Sequence, residues 1–150
     1  MTRSRRPIVW LALAAGLAAA GVGCKRHPRV VPVTGVVFYN GKPLPFGSIL
    51  FQPDKGQTAA GDIRSDGSFT LSSYADEDGA VPGAHRVSVS CFEGQRPGKQ
   101  PPANGGSVSL GKLLIPLKYT RLGSSGLGVE VKDAPGQTFE FKLEGPPVAF

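Results

Sequence analysis

The chain has 150 residues, of which 21 are Gly and 14 Pro, with 40% hydrophobic and 19% charged residues and a formal net charge of +6. This composition excludes a disordered chain, which is poorer in apolar residues, and collagen, which needs a strict glycine period. It also disfavours long helices, since Gly and Pro are poor in helix interiors, and the length fits one domain.

Arg3, Arg5 and Arg6 form a basic start, and no charge occurs from Pro7 to Gly23. A charged stretch, an Ala- and Leu-rich apolar stretch and a run of small residues ahead of Cys24 describe an export signal over residues 1–23. The uncharged run of 17 residues is just short of a comfortable membrane span, so an uncleaved anchor is the alternative. Val22-Gly23-Cys24 resembles the end of a bacterial lipobox, which implies cleavage between Gly23 and Cys24 and lipidation of Cys24; the family prefers Leu where Gly21 stands. Ser4-Arg5-Arg6 also resembles a twin-arginine export signal, with Pro7-Ile8-Val9 as a poor continuation.

Three of the 17 Lys and Arg lie in that signal, which leaves 14 against 11 Asp and Glu, a net +3, in the rest of the chain. Such a modest excess gives little support for nucleic-acid binding. If Cys24 carries lipid, Cys91 has no partner within the chain. A Cys24–Cys91 disulfide would exclude lipidation. Cys91 shares parity with Val87 and Val89, which points it inward as a core thiol.

Residues 24–29 read as a basic tether, in which the nearby Pro28 and Pro32 disfavour helix. Short apolar segments of period two follow. Val31 to Tyr39 is apolar on both parities and is expected to be covered on both sides, with Pro32 marking an edge or a strand end. Gly47 to Gln52 places Ile49 and Phe51 on one face, and Thr58 to Ser65 is a weaker strand around Ile63. Ser68 to Ser72, Arg86 to Cys91, Leu127 to Lys132 and Phe139 to Glu144 alternate cleanly, as in antiparallel sheets with one wet face. About seven strands at this spacing predict an all-β fold, a β-sandwich over residues 30–144, with 145–150 as a tail.

Asn40-Gly41 and Asp66-Gly67 are turn dipeptides that tolerate positive φ. Pro43 and Pro45 predict a wider loop than a two-residue hairpin at the first, whereas the second predicts a tight hairpin. Asp133-Ala134-Pro135-Gly136 joins the last two strands. Residues 93–112 hold many Gly and Pro and few apolar side chains, which predicts a mobile loop, disordered or inserted rather than a binding loop.

Three stretches resemble the opening of carboxypeptidase-regulatory-like, transthyretin-like modules: Val33-Thr34-Gly35-Val36-Val37, Asn40-Gly41-Lys42-Pro43-Leu44-Pro45 and Ile49-Leu50-Phe51-Gln52-Pro53. Ser65 to Leu71 looks like their Asp-Gly-x-Phe turn and strand, and Val81 to Val89 like their Pro-Gly-x-Tyr-x-Val strand. Ile115-Pro116-Leu117-Lys118-Tyr119 and Ser125-Gly126-Leu127 resemble the later part of small bacterial lipoproteins built on this module. The resemblance implies an antiparallel, seven-stranded, prealbumin-like sandwich with Ig-like Greek-key connectivity, exported and without catalysis. His85 stands where the family shows Tyr, so it must pack differently or face solvent.

Candidate chemistry is sparse. Transthyretin-related hydrolases end in Tyr-Arg-Gly-Ser, which this chain lacks, and its only histidines are His27 and His85, with no partner evident for either. Asp76, Glu77 and Asp78 offer three local carboxylates. Counted from Asp76, an EF-hand fails at Ala80 and Val87, which leaves a non-standard calcium site or, preferred, a solvated acidic turn. No zinc cluster or phosphate loop is present, and no cofactor is expected. Ser72, Ser73, Ser124 and Ser125 read as turn and strand residues without a base. Tyr39, Phe46, Tyr74 and Tyr119 are the aromatics expected near loops, where they would serve a carbohydrate- or peptide-binding module. The sequence therefore predicts a non-catalytic, lipid-anchored cell-envelope module with a structural or protein-interaction role. Its partners would be the membrane through the lipid and an envelope protein or glycan. A sugar- or peptide-binding module is the alternative, ahead of a hydrolase.

Overall fold

The computed structural model describes residues 28–98 and 109–150; the expected signal, Gly23 and Cys24 and most of the tether lie outside them. Eight strands form two four-stranded sheets. They are β1 (Val33–Tyr39), β2 (Lys42–Pro43), β3 (Gly47–Pro53), β4 (Ala59–Ile63), β5 (Ser68–Thr70), β6 (Gly83–Ser90), β7 (Leu127–Val131) and β8 (Gln137–Leu143). Helix among the described residues is confined to two 3-10 turns, η1 (Glu93–Gln95) and η2 (Leu117–Thr120). The all-β class thus holds, with β2 added to the seven segments expected.

β1 is the centre of the first sheet. β8 pairs along its full length, from Val33↔Gln137 to Tyr39↔Leu143, and this pairing is parallel. β5 and β2 share its other edge, β5 at Thr34–Val36 and β2 at Phe38–Tyr39. The second sheet runs β4-β3-β6-β7, antiparallel throughout. The sheets are therefore not purely antiparallel, and β7 and β8, adjacent in sequence, belong to different sheets. Period-two patterning assigns faces to a strand but says nothing about which neighbour it takes.

Two local expectations are corrected. The Asn40-Gly41 turn is a true two-residue hairpin, since Tyr39 pairs with Lys42. Both turn residues have positive φ (49° and 79°), as the hairpin turn matching strand twist requires. Pro43 does not widen it because it falls at a position that donates no ladder bond; the next donor, Leu44 N, reaches Val37 O at 2.9 Å. The second correction concerns β1, which is covered on one face only. Val33, Val37 and Tyr39 are buried, Thr34 is exposed and Val36 and Phe38 are half-buried on the outer face.

The Asp66-Gly67 hairpin is tight, as expected, with Arg64 N bonded to Ser68 O at 2.8 Å. Its two strands nonetheless lie in different sheets, so it turns the corner of the sandwich. Gly67 has φ +80°, and a Cβ there would come within 3.0 Å of Pro43 and 2.8 Å of Val37 O. The turn can nest against β1 and β2 only without a side chain.

The core joins the sheets through Phe51 of β3. Its ring lies 5.8 Å from Phe141 and 6.1 Å from Phe139 on β8, and 6.1 Å from Phe69 on β5. Cys91 is fully buried in this core, on the side that its parity with Val87 and Val89 predicts. Burial pushes its thiol up to about 12.

The strand directions give the sandwich two distinct ends. The described chain enters at one, where Arg29 meets Asp133 at 3.0 Å and Val31 bridges Ala80. β1 then runs away from that end for about 20 Å, at roughly 3.3 Å per residue. The far end holds the Asn40-Gly41 turn, Phe46, η1, η2 and the tail of residues 145–150.

Candidate functional site

At the far end the sequence turns its backbone twice, and the side chains left there gather around the tail. Tyr39 ends β1 with its ring buried and its hydroxyl donating to Pro146 O at 2.8 Å. Asn40, fixed by its turn, donates to Gly145 O at 2.9 Å and accepts from Gly145 N at 3.1 Å. Arg96, just past η1, lays its guanidinium 5.5 Å over the Phe46 ring and donates to Ala149 O at 3.1 Å. The Phe150 ring stands edge-on to Tyr39 at 5.6 Å and to Phe46 at 6.1 Å. Beside the tail runs a cleft of about 230 Å³ lined by Tyr39, Lys42, Pro45, Pro147 and Phe150 among others. Residues 145–150 are thus docked on the sandwich. The sequence marks 145–150 only as a tail and gives Arg96 no role; the apolar spacing of Val148 and Phe150 is the one signal for docking.

A second concavity, about 670 Å³, lies at the β4–β5 corner. Its lining is mixed, with Ala60 and Gly61 beside Ser48, Asp62, Arg64, Thr70 and Glu77. Arg64 bridges it, with Nη1 on Thr70 Oγ1 at 3.2 Å and Nη2 on Glu77 at 3.0 Å.

The three acidic candidates divide rather than converge. Asp78 accepts the amides of Ser73, Tyr74 and Ala75 at 2.6 to 3.0 Å. Partial burial works to raise its carboxyl, but these amides together outweigh that and hold it below the ordinary carboxylate range. Glu77 pairs with Arg64, and Asp76 is exposed at the groove rim. Among the described residues no group of three or more His, Cys, Asp or Glu is placed to hold a metal ion.

The aromatic candidates are also redistributed. Tyr39, Phe46 and Tyr119 are buried, at 3%, 5% and 6% exposure, and cannot form an open stacking platform; Tyr74 is half-buried. The reason is that Phe150 of the tail stands against Tyr39 and Phe46, and Tyr119 turns inward from η2 to the Glu144 backbone, although these rings neighbour loops in sequence.

His85 packs inward. Its ring lies 5.8 Å from Phe51, Nε2 donates to Val81 O at 2.8 Å, and Nδ1 is buried with no hydrogen-bond partner among the described residues. The serine hydroxyls serve the backbone: Ser73 donates to Gly79 O, Ser124 to Lys118 O and Ser125 to Val87 O, while Ser72 accepts Glu77 N. The stem of the 93–112 loop is bonded, with Glu93 N on Lys112 O at 3.0 Å and Gly94 N on Leu110 O at 2.9 Å. Residues 99–108 lie outside the described chain. Among the described residues no helix is long and apolar enough to cross a membrane. No family model, curated protein or solved structure matches the chain.

Proposed function

We propose that this chain is a non-catalytic cell-envelope module, exported and held at a membrane by lipid on Cys24, with a structural or protein-interaction role. The observation that carries the reading is the run from the Arg3–Arg6 basic cluster through the uncharged residues 7–23 to Gly23-Cys24, followed shortly by the first strand of a β-sandwich at Val33. One acyl chain anchors marginally and two or more anchor firmly. Because the described chain enters at the Arg29 end, an anchor at Cys24 directs the Tyr39–Phe46–Arg96 end away from the membrane. The finer fold assignment, a prealbumin-like Greek key of the carboxypeptidase-regulatory-like kind, belongs to the same proposal and rests on the motifs from Val33 to Val89. The absence of catalysis is supported by hydroxyls and an imidazole already committed to backbone carbonyls.

Mass spectrometry of the membrane fraction tests the anchor. Wild type should yield a lipid-modified N-terminus at Cys24, and Cys24→Ala should lose it and leave the membrane. An unmodified chain retaining residues 1–23 overturns the reading.

The 670 Å³ groove favours one second reading, a carbohydrate-binding module, because its carboxylates and hydroxyls suit sugar hydroxyls. Amide shifts at Asp62, Thr70 and Ser72 on titration with oligosaccharides would identify it.

A further inference from the structure

We infer that the groove formed at the far end by Tyr39, Asn40, Phe46 and Arg96 is a docking site for an extended, proline-containing peptide of a partner protein, and that residues 145–150 occupy it as an internal competitor. The groove already displays the chemistry of its ligand. Three side chains, Tyr39, Asn40 and Arg96, donate to the backbone carbonyls of Pro146, Gly145 and Ala149, so they read an extended main chain rather than a side-chain sequence. Two aromatic rings, Tyr39 and Phe46, receive one apolar anchor, Phe150. Pro146 and Pro147 have φ fixed near about −65°, so the segment loses little entropy on docking, as in other aromatic grooves that take proline-rich ligands.

The tail is held in a way that permits exchange. None of residues 145–150 is buried, and Pro146, Pro147 and Ala149 are exposed. Among the described residues no backbone–backbone hydrogen bond joins 146–150 to the sandwich; the segment is held by side-chain donors and by the half-buried Val148 and Phe150 packed on the core. The groove is also larger than its occupant, since the 230 Å³ cleft bounded by Lys42, Pro45 and Pro147 continues beside it. A partner peptide that also filled that cleft would bury more apolar surface than the tail does. The inference gives the interaction module its partner class. It rests on that reading but not on the anchor, so failed peptide binding leaves Cys24 lipidation standing and the reverse also holds.

The test uses the detergent-solubilised full chain and a fluorescein-labelled peptide, Glu-Gly-Pro-Pro-Val-Ala-Phe, read by anisotropy. Wild type should bind it weakly because the tail competes. Val148→Ser with Phe150→Ser should free the groove and tighten binding about tenfold, as removal of an internal competitor requires. Tyr39→Phe or Arg96→Ala added to that pair should reverse the gain. Hydrogen exchange on the unaltered chain gives a readout that needs no tail variant: the amides of Val148 to Phe150 should exchange far faster than those of Val87 and Phe141. Exchange at the core rate would make the tail a fixed part of the fold and overturn the inference. So would a folded tail variant that binds no peptide, or a concentration-dependent dimer of wild type that swaps tails and excludes the peptide.

Discussion

The Tyr119 hydroxyl accepts the Glu144 amide at 3.0 Å and donates to the Glu144 carbonyl at 3.2 Å, so a side chain of η2 holds both backbone groups of the residue that follows β8. This clamp sets where the tail leaves the sandwich, one residue before Asn40 takes hold of Gly145.

Tyr119→Phe removes both bonds and keeps the buried ring. We expect a loss of about 1–2 kcal/mol in unfolding free energy, measured by urea titration. An unchanged midpoint would show that water replaces the hydroxyl at no cost.

Gly67→Ala should cost about 1–3 kcal/mol, because the backbone there has φ +80° and the new methyl meets Pro43 and Val37 O. Gly41→Ala is the control. Its φ of +79° imposes the backbone strain, but nothing lies within 4 Å, so the difference between the two measures the steric part.

Cys91 should resist alkylation in the folded chain and react only on unfolding. Burial raises its thiol to about 12 in the folded state, against 9.0 for the ordinary group. The folded form therefore keeps a proton that the unfolded form sheds. Its contribution to stability is complete below pH 9.0 and is lost as pH rises from there through about 12. Denaturation series across that window should show this decline in wild type and a shallower one in Cys91→Ala.

Asp78→Ala should destabilise the 73–79 turn by about 2 kcal/mol, since three amides lose a charged acceptor. The Asp78 carboxyl titrates below its usual range when folded, so its contribution is present above the unfolded value and fades as pH falls through the folded one. Acid unfolding of the variant should therefore be less steep than that of wild type.

Some of this was legible in the sequence and some was not, for a physical reason. Alternation placed Val87, Val89 and Cys91 in the core and left Glu140 and Lys142 outside, because a strand fixes its two faces locally. The Asp66-Gly67 corner was legible because its turn chemistry is local too. The pairing of β1 with β8 was not, nor the cover that the tail gives Tyr39 and Phe46. Both join residues about a hundred positions apart, and no local pattern encodes which distant segment arrives. Pro43 misled for a related reason: a proline's effect on a hairpin depends on whether its position must donate, which only the register decides.

The seam between the first and last strands bears on how the molecule is made. Thr34 and Thr138, whose hydroxyls touch at 3.2 Å, are 104 residues apart. During synthesis the opening strand waits, one border unmatched, until β8 has left the ribosome. Loop closure over that span makes folding slow and late, and leaves the newly made polypeptide pliable until β8 arrives.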